Sequence, residues 1–353
     1  KEDILADTLS VPFQPIKKFG EVKENEWHNM LIFGDNLQAL KHLLKLKEQG
    51  KLRNPDGRNG VKLIYIDPPF AADREFKGSK GEKAYQDKIA GAEFLEFLRK
   101  RLIFLKELLT EDGSIYVHLD EKRSHYIKVL LDEIFDEAKF QREIVWRIGW
   151  ISGYKSAAKN WIRNHDVIFF YTNNPQKFTF NKIYIPYPKD YKRRDGSIPE
   201  GEGYPIEDTW NSNELDKIDS IQIMSFSGEK TGFPTQKNEN LLERIIRASS
   251  NDGDIVLDAF AGSGTTGAVA EKLGRKWIMI DSSKLAIYTM QKRMLNLKAE
   301  IGNKGKALKP KPFVLYNAGL YLDSGFIEKM DEADYRKFVL ELFGAEPADN
   351  KVK

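Results

Sequence analysis

Asp67-Pro68-Pro69-Phe70 follows the apolar run Val61–Ile66 without a break. Two consecutive prolines fix φ and remove two backbone donors, so the Pro68 carbonyl is left to point into a pocket. With Asp67 it makes two acceptors, which suit the two hydrogens of an –NH2 group. An aromatic amine is a poor nucleophile because its lone pair is delocalised into the ring. Acceptors that hold both N–H bonds favour a more sp³-like nitrogen, its lone pair aimed at an electrophile. Phe70 adds a flat apolar face for stacking a base. The competing reading is a rigid Pro-Pro turn with no chemistry.

Asp258-Ala259-Phe260-Ala261-Gly262-Ser263-Gly264-Thr265-Thr266 follows a second apolar run, Ile255-Val256-Leu257. A glycine turn between strand and helix lets backbone N–H groups approach a nucleotide-type ligand without a Cβ in the way. Thr265 or Thr266 is suited to cap the helix. Asp281 ends the next strand, where a carboxylate can accept both hydroxyls of a ribose. A phosphate loop of the Walker type is excluded by the missing Gly-Lys-Ser/Thr ending. Packing alone is the alternative for a lone glycine pair.

The elements that position these strings read as alternating strands and helices. Strands are predicted over 30–33, 61–66, 114–119, 143–146, 167–171, 255–257 and 277–280. Helices are predicted over 37–44, 94–109, 120–135, 238–249, 265–273 and 283–297. Residues 71–90 read as a long polar loop, and 173–235 as an irregular region rich in Tyr, Pro, Gly and Asn. The pattern predicts an α/β fold with a Rossmann-like, mostly parallel sheet and helices on both faces. Such sheets place their chemistry at the carboxyl ends of strands, where both strings fall.

The 353 residues suffice for one large or two modest domains. No apolar stretch is long enough to span a bilayer and no signal peptide opens the chain, so a cytoplasmic protein without a membrane partner is expected. Cysteine is absent, which excludes disulfides and thiolate metal sites. No cluster with metal-ligand spacing is evident, and no metal is expected. The first residue is Lys and the tail is Lys-rich, which suggests a longer parent chain.

The net charge is only +3, but charge is segregated. Residues 142–194 carry eleven Lys/Arg against three Asp/Glu, whereas 195–219 carry one Lys against eight acids. One face for a polyanion and another that avoids it is the expectation, with an unevenly charged solvated surface as the plain alternative. The basic residues Arg142, Arg147, Lys155, Lys159, Lys192, Arg193 and Arg194 alternate with Trp146, Trp150, Tyr154, Trp161, Tyr184, Tyr187 and Tyr191. Basic groups neutralise phosphates, and aromatics stack on bases or wedge a gap, the alternative being that many of these aromatics are simply core. Phe169, Phe170 and Tyr171 read as core, and His118 and His125 as structural.

Five strings together resemble a known family. They are Ile32-Phe33-Gly34-Asp35-Asn36-Leu37, Asp67-Pro68-Pro69-Phe70, Gly113-Ser114-Ile115-Tyr116-Val117-His118-Leu119-Asp120, Gly232-Phe233-Pro234-Thr235-Gln236-Lys237, and the glycine string. In content and order they are similar to beta-class amino DNA methyltransferases, the permuted group whose catalytic motif precedes its cofactor loop. Among these, the modification subunits of type III restriction systems are the nearest likeness. The resemblance covers most of the chain, from about residue 30 to 297. It implies S-adenosyl-L-methionine as cofactor and N6 of a flipped-out adenine as acceptor, with Asp67, Pro68, Pro69 and Phe70 catalytic. It implies a cofactor site of Asp35, Asn36, Thr235, Gln236, Lys237, Asp258, Phe260, Gly262, Gly264, Thr265 and Asp281, with Asp35 near the cofactor's adenine. Departures are Asn238 where the family often has Pro, Ala259 in place of a common Pro, and Phe70 for the commoner Tyr.

The expected organisation is a catalytic domain of residues 1–140 and 232–316. Residues 141–231 would hold further sheet strands and the target-recognition region, and 317–353 an extension without assigned chemistry. Expected partners are double-stranded DNA, with a restriction subunit or a second copy as further candidates. The alternatives are an N4-cytosine methyltransferase and a DNA-binding specificity subunit active only in a restriction-modification complex.

Overall fold

The fold comes from a computed structural model. It describes residues 1–24, 26–69, 92–148, 159–211 and 227–319, and the backbone of 75–77 and 83–86. In chain order the elements are α1 (Glu2–Asp7), β1 (Gln14–Phe19), β2 (Asn29–Phe33), α2 (Asn36–Glu48), β3 (Val61–Ile66), β4 (Glu75–Lys77), β5 (Lys83–Gln86), α3 (Ala92–Leu108), β6 (Leu109–Leu119), α4 (Ser124–Phe135), β7 (Phe140–Arg147) and β8 (His165–Thr172). There follow β9 (Tyr184–Ile185), β10 (Tyr204–Pro205), β11 (Thr209–Trp210), α5 (Glu239–Ser249), β12 (Ile255–Asp258), α6 (Thr265–Lys272), β13 (Lys276–Asp281), α7 (Lys284–Leu295), β14 (Lys298–Glu300), β15 (Lys304–Ala307) and β16 (Phe313–Asn317).

Ten strands form one sheet in the order β1-β16-β2-β13-β12-β3-β6-β8-β7-β11. The six from β16 to β6 are mutually parallel, while β1 and β8 run against their neighbours. Alternation along each strand splits the core in two. Ile64 and Ile66 pack with Leu40, Leu43, Leu98 and Leu102 of α2 and α3, whereas Leu63 and Tyr65 pack with Leu241, Ile245, Ala268 and Met290 of α5, α6 and α7. The sheet is therefore buried on both faces, which explains the unbroken apolar run of β3.

From β12 the chain crosses through α6 to β13 on one side, and from β3 through α3 to β6 on the other. The strand order thus reverses between β12 and β3, the position where open α/β sheets bind ligands. Both chemistry-bearing strings leave the carboxyl ends of this pair, whose registers align Val256 with Leu63 and Leu257 with Ile64.

The structure differs from the sequence expectation in several places. Residues 71–90 are not loop throughout, since β4 and β5 pair as an antiparallel hairpin. The helix predicted to Leu109 stops at Leu108, and β6 begins at Leu109, five residues before the predicted strand start at 114. Two outer strands, β1 and β16, were not anticipated. The irregular stretch contains three two-residue strands, of which β11 joins the main sheet. Among the described residues no helix is long and apolar enough to cross a membrane.

Candidate active site

A cavity of about 140 Å³ opens at the β12–β3 reversal. Its walls include Tyr65 of β3, Asp67, Pro68 and Pro69 after it, Phe233, Pro234, Thr235 and Lys237 before α5, Asp258 and Phe260 to Ser263 with Thr265 and Thr266 around the glycine loop, and Asp281 ending β13. Phe70 lies outside the described residues. Strings nearly two hundred residues apart are thus brought to one pocket.

The glycine loop is held by its own acids. The Phe260 N–H donates to Asp258 Oδ1 at 2.9 Å and the Thr266 hydroxyl to Asp258 Oδ2 at 2.6 Å. The Gly262 N–H donates to Asp281 Oδ2, and the Ser283 N–H to Asp281 Oδ1, both at 2.8 Å. Gly262 sits at φ +50°, and a Cβ on it would stand 3.4 Å from the Phe233 ring. The α6 N-cap is Gly264, at φ +75°, rather than either threonine. Thr265 Oγ1 donates instead to the Lys237 carbonyl at 2.9 Å and receives Arg293 Nη1 at 2.8 Å. Gly264 itself does not line the cavity; it makes room for Met290.

Asp67 forms an ion pair with Lys237 through Oδ2. Its other oxygen, Oδ1, is buried with no hydrogen-bond partner among the described residues. An orphaned buried acceptor is costly, so its persistence at a cavity wall marks a place for a donor from outside. Burial, above all, raises the carboxyl of Asp258 to about 7, against the bonds from Thr266 and Phe260; Asp67 and Asp281 add to the rise. Burial likewise raises Asp281 to about 6, against the Ser283 and Gly262 N–H groups. Three carboxylates therefore share one cavity, and among the described lining residues Lys237 is the one cation. Asp258, Asp281, the orphaned Asp67 oxygen and the open backbone at Gly262 fit a cationic ligand with hydroxyl groups, as S-adenosylmethionine is.

Not every expected site residue reaches the cavity. Asp35 caps α2 by accepting the Leu37 N–H at 2.7 Å and pairs with Arg101 at 2.9 Å. Asn36 donates to the Ala259 carbonyl at 2.7 Å and accepts from Arg101. Both brace the loops from behind. Gln236 turns away too: its amide bonds the Glu229 carbonyl at 2.6 Å and Thr231 Oγ1 at 2.6 Å. Asn238, the departure from a family Pro, caps α5 by accepting the Leu241 N–H at 2.9 Å.

Sequence reasoning passed over Tyr65, Phe233 and Ser263, which line the cavity. Tyr65 alternates with core residues in β3 and carries no signal of its own. Its hydroxyl bonds His118 Nδ1 at 2.8 Å, and His118 Nε2 bonds Asp166 Oδ2 at 3.2 Å. His118 thus buttresses the cavity wall, while His125 is exposed.

The basic region is mixed in its placement. Arg142, Arg147, Lys159, Lys192, Arg193 and Arg194 are exposed. Lys155, Trp150 and Tyr154 lie outside the described residues. Trp146 is fully buried, its ring 5.5 Å from that of His118, so it is core and not a base-stacking residue. Tyr187 and Tyr191 stack on each other with centroids 5.3 Å apart, and Trp161 is 96% exposed. Arg142 pairs with Asp208 at 3.8 Å, so at that point the acidic stretch meets the basic one, and 212–219 lie outside the described residues. Phe169, Phe170 and Tyr171 are core, as read.

A doubly wound sheet with a glycine loop, Asp281 and the Asp-Pro-Pro loop gathered at its reversal is the fold of a methyltransferase that uses S-adenosylmethionine. The family model described as DNA methylase matches residues 61–292, and the chain belongs to that family. It is 32% identical over 335 residues to the type II methyltransferase M.EcaI of Enterobacter cloacae, covering 78% of this chain and 71% of the relative. It is 29% identical to the DNA adenine methyltransferase YhdJ of Escherichia coli, covering 70% and 80% respectively. A solved structure, the cytosine-N4-specific PvuII DNA methyltransferase, superposes with a TM-score of 0.48 at 17% identity, covering 90% of this chain and 94% of that one.

Proposed function

We propose that this chain methylates N6 of adenine in double-stranded DNA, with the permuted beta-class order of motifs. The observation that carries the reading is Asp67 Oδ1, a buried acceptor without a partner on the wall of the cavity shared with Gly262 and Asp281. When bound, S-adenosylmethionine supplies an electrophilic methyl group on a sulfonium. Asp281, Asp258, Phe260, Thr235 and the backbone at Gly262 would hold it; Asp35, Asn36, Gln236, Gly264 and Thr265 would support the loops. The target amine, flipped out of the duplex, would donate one N–H to Asp67 Oδ1 and the other to the Pro68 carbonyl. Held so, the amine nitrogen would turn its lone pair toward that methyl group, and Asp67 Oδ1 would hold the N–H whose proton passes to solvent on transfer. Positioning supplies most of the acceleration in such an in-line displacement. Pro69 fixes the loop, and Phe70 stacks the base.

The Asp-Pro-Pro-Phe tetrapeptide and the likeness to the DNA adenine methyltransferase YhdJ support adenine over cytosine. Residues 1–140 and 232–316 would form the catalytic domain, and 141–231 would carry target recognition, with Arg142, Arg147, Lys155, Lys159 and 192–194 meeting phosphates. The type III likeness gives a restriction subunit as a further proposed partner and the bacterial cytosol as the proposed location. Labelled methyl transfer to duplex DNA, followed by nucleoside analysis, tests the reading. Label in N6-methyladenosine that vanishes with Asp67→Ala is expected. Label in N4-methylcytosine would overturn the base, and no transfer would overturn the activity.

A further inference from the structure

We propose that Lys237 is a positioning residue for the amine acceptor: its ammonium anchors Oδ2 of Asp67 and leaves Oδ1 as the single aimed acceptor. The inference rests on the function proposed above and gives Lys237 a different task from the cofactor contact that the family likeness implies. The two side chains lie 170 residues apart and meet at the cavity wall, 12% and 17% exposed. A lysine ammonium donates three hydrogens and accepts none, so Lys237 cannot itself receive an amine N–H. What it does is remove one carboxylate oxygen from competition. A carboxylate with both oxygens free could rotate and accept the amine in several poses; one with Oδ2 held presents Oδ1 along one direction.

The lysine backbone is fixed independently of its ammonium. The Lys237 carbonyl accepts Thr265 Oγ1, Thr265 accepts Arg293, and Arg293 Nη2 donates to Glu239 Oε1 at 2.9 Å. A single residue therefore touches the catalytic loop with its side chain and the glycine loop with its main chain. This registers Asp67 against the loop that holds the methyl donor. A misplacement of about 1 Å at a reacting centre costs on the order of 100-fold in rate. The two connections are separable, because substitution of the side chain leaves the carbonyl bond in place.

The test compares wild type with Lys237→Met, Lys237→Gln and Lys237→Arg. Cofactor dissociation constants come from calorimetry, and kcat at saturating cofactor from nucleoside analysis of methylation-deficient bacterial DNA. For the Met and Gln variants, kcat should fall at least about 10-fold while the dissociation constant stays within about 3-fold. Lys237→Arg, whose guanidinium can also donate to Oδ2, should regain most of the loss. The proposal is overturned if Met and Gln both keep kcat within about 3-fold, or if they weaken cofactor binding and leave saturated kcat intact. It is equally overturned if Arg is as slow as Met. The cofactor titration reports folding in the same samples, and a Met variant that fails to fold leaves the Gln and Arg pair to decide. An inactive wild type would sink the function proposed above, a result distinct from all of these.

Discussion

Asp281 Oδ2 accepts the N–H of Gly262 at 2.8 Å, so the acid at the end of β13 grips the turn after β12 before any ligand arrives. The same carboxylate faces the cavity. Asp281→Ala should therefore lose more than a ribose contact, because the glycine loop loses its anchor as well. Cofactor affinity should weaken by at least about 10-fold, with a loss of about 1–3 kcal/mol in stability from the freed N–H groups. Calorimetry and denaturant titration measure the two effects; unchanged affinity would refute the assignment of Asp281.

Asp258 and Asp281, raised to about 7 and about 6, make the cavity titrate near neutrality. A carboxyl with a raised folded pKa binds more protons folded than unfolded. Its contribution to stability is full below the unfolded value of 3.8 and is lost as pH rises through about 7 for Asp258. A cationic ligand favours the ionised forms, so cofactor affinity should rise over the same window, with proton release on binding. Asp258→Asn should flatten both slopes. Denaturation and calorimetry from pH 5 to 8, in buffers of different ionisation enthalpy, check the sign.

Gly264→Ala should destabilise the protein by about 1–3 kcal/mol, because the residue holds φ +75° and its new Cβ would stand 2.6 Å from Met290 Cγ. Shortening Met290 in the same protein would relieve the contact but not the backbone. Thermal denaturation of the single and double variants separates the two costs.

Glu239 is wholly buried between Lys272 and Arg293, and its Oε2 also receives the N–H groups of Gly302 and Asn303. Glu239→Gln removes the charge, so Lys272 loses its paired carboxylate and Arg293 keeps only Glu229, 3.9 Å away. The expected cost is about 3–5 kcal/mol by urea titration. Through Arg293 and Thr265 it should also loosen the Lys237 carbonyl. A near-neutral result would mean that water replaces the carboxylate.

The parts of the site that were legible in the sequence are those where one local string does one local job. A Pro-Pro step after a buried strand and a glycine turn before a helix each announce a loop at a sheet edge. Asp35 was legible only as an acid after strand and glycine, which serves equally as helix cap and as ligand, and α2 uses it as a cap. Trp146 misled because its basic neighbours are exposed, while alternation in β7 turns it inward beside Ile144. The pairing of Lys237 with Asp67, and that of Glu239 with Arg293, depend on chain segments far apart and leave no local pattern. β1 was missed for a different reason. Its sequence Gln-Pro-Ile-Lys-Lys-Phe is mostly exposed and makes an edge strand against β16 without an apolar signature.

Consecutive strands β2 and β3 are not neighbours in the sheet: β13 and β12 stand between them, from chain nearly two hundred residues later. A ribosome thus releases the outer frame long before the two strands that fill it. At synthesis rates of roughly 5–20 residues per second, β2 waits on the order of ten seconds or more for either of its sheet neighbours, β13 and β16, and β3 as long for β12. Throughout that time both flanking strands present unpaired backbone edges lined with apolar side chains, the condition that invites aggregation. The nascent protein has no pocket at all until β12 and β13 insert, so its birth, more than its finished stability, is the stage at which chaperones would be needed.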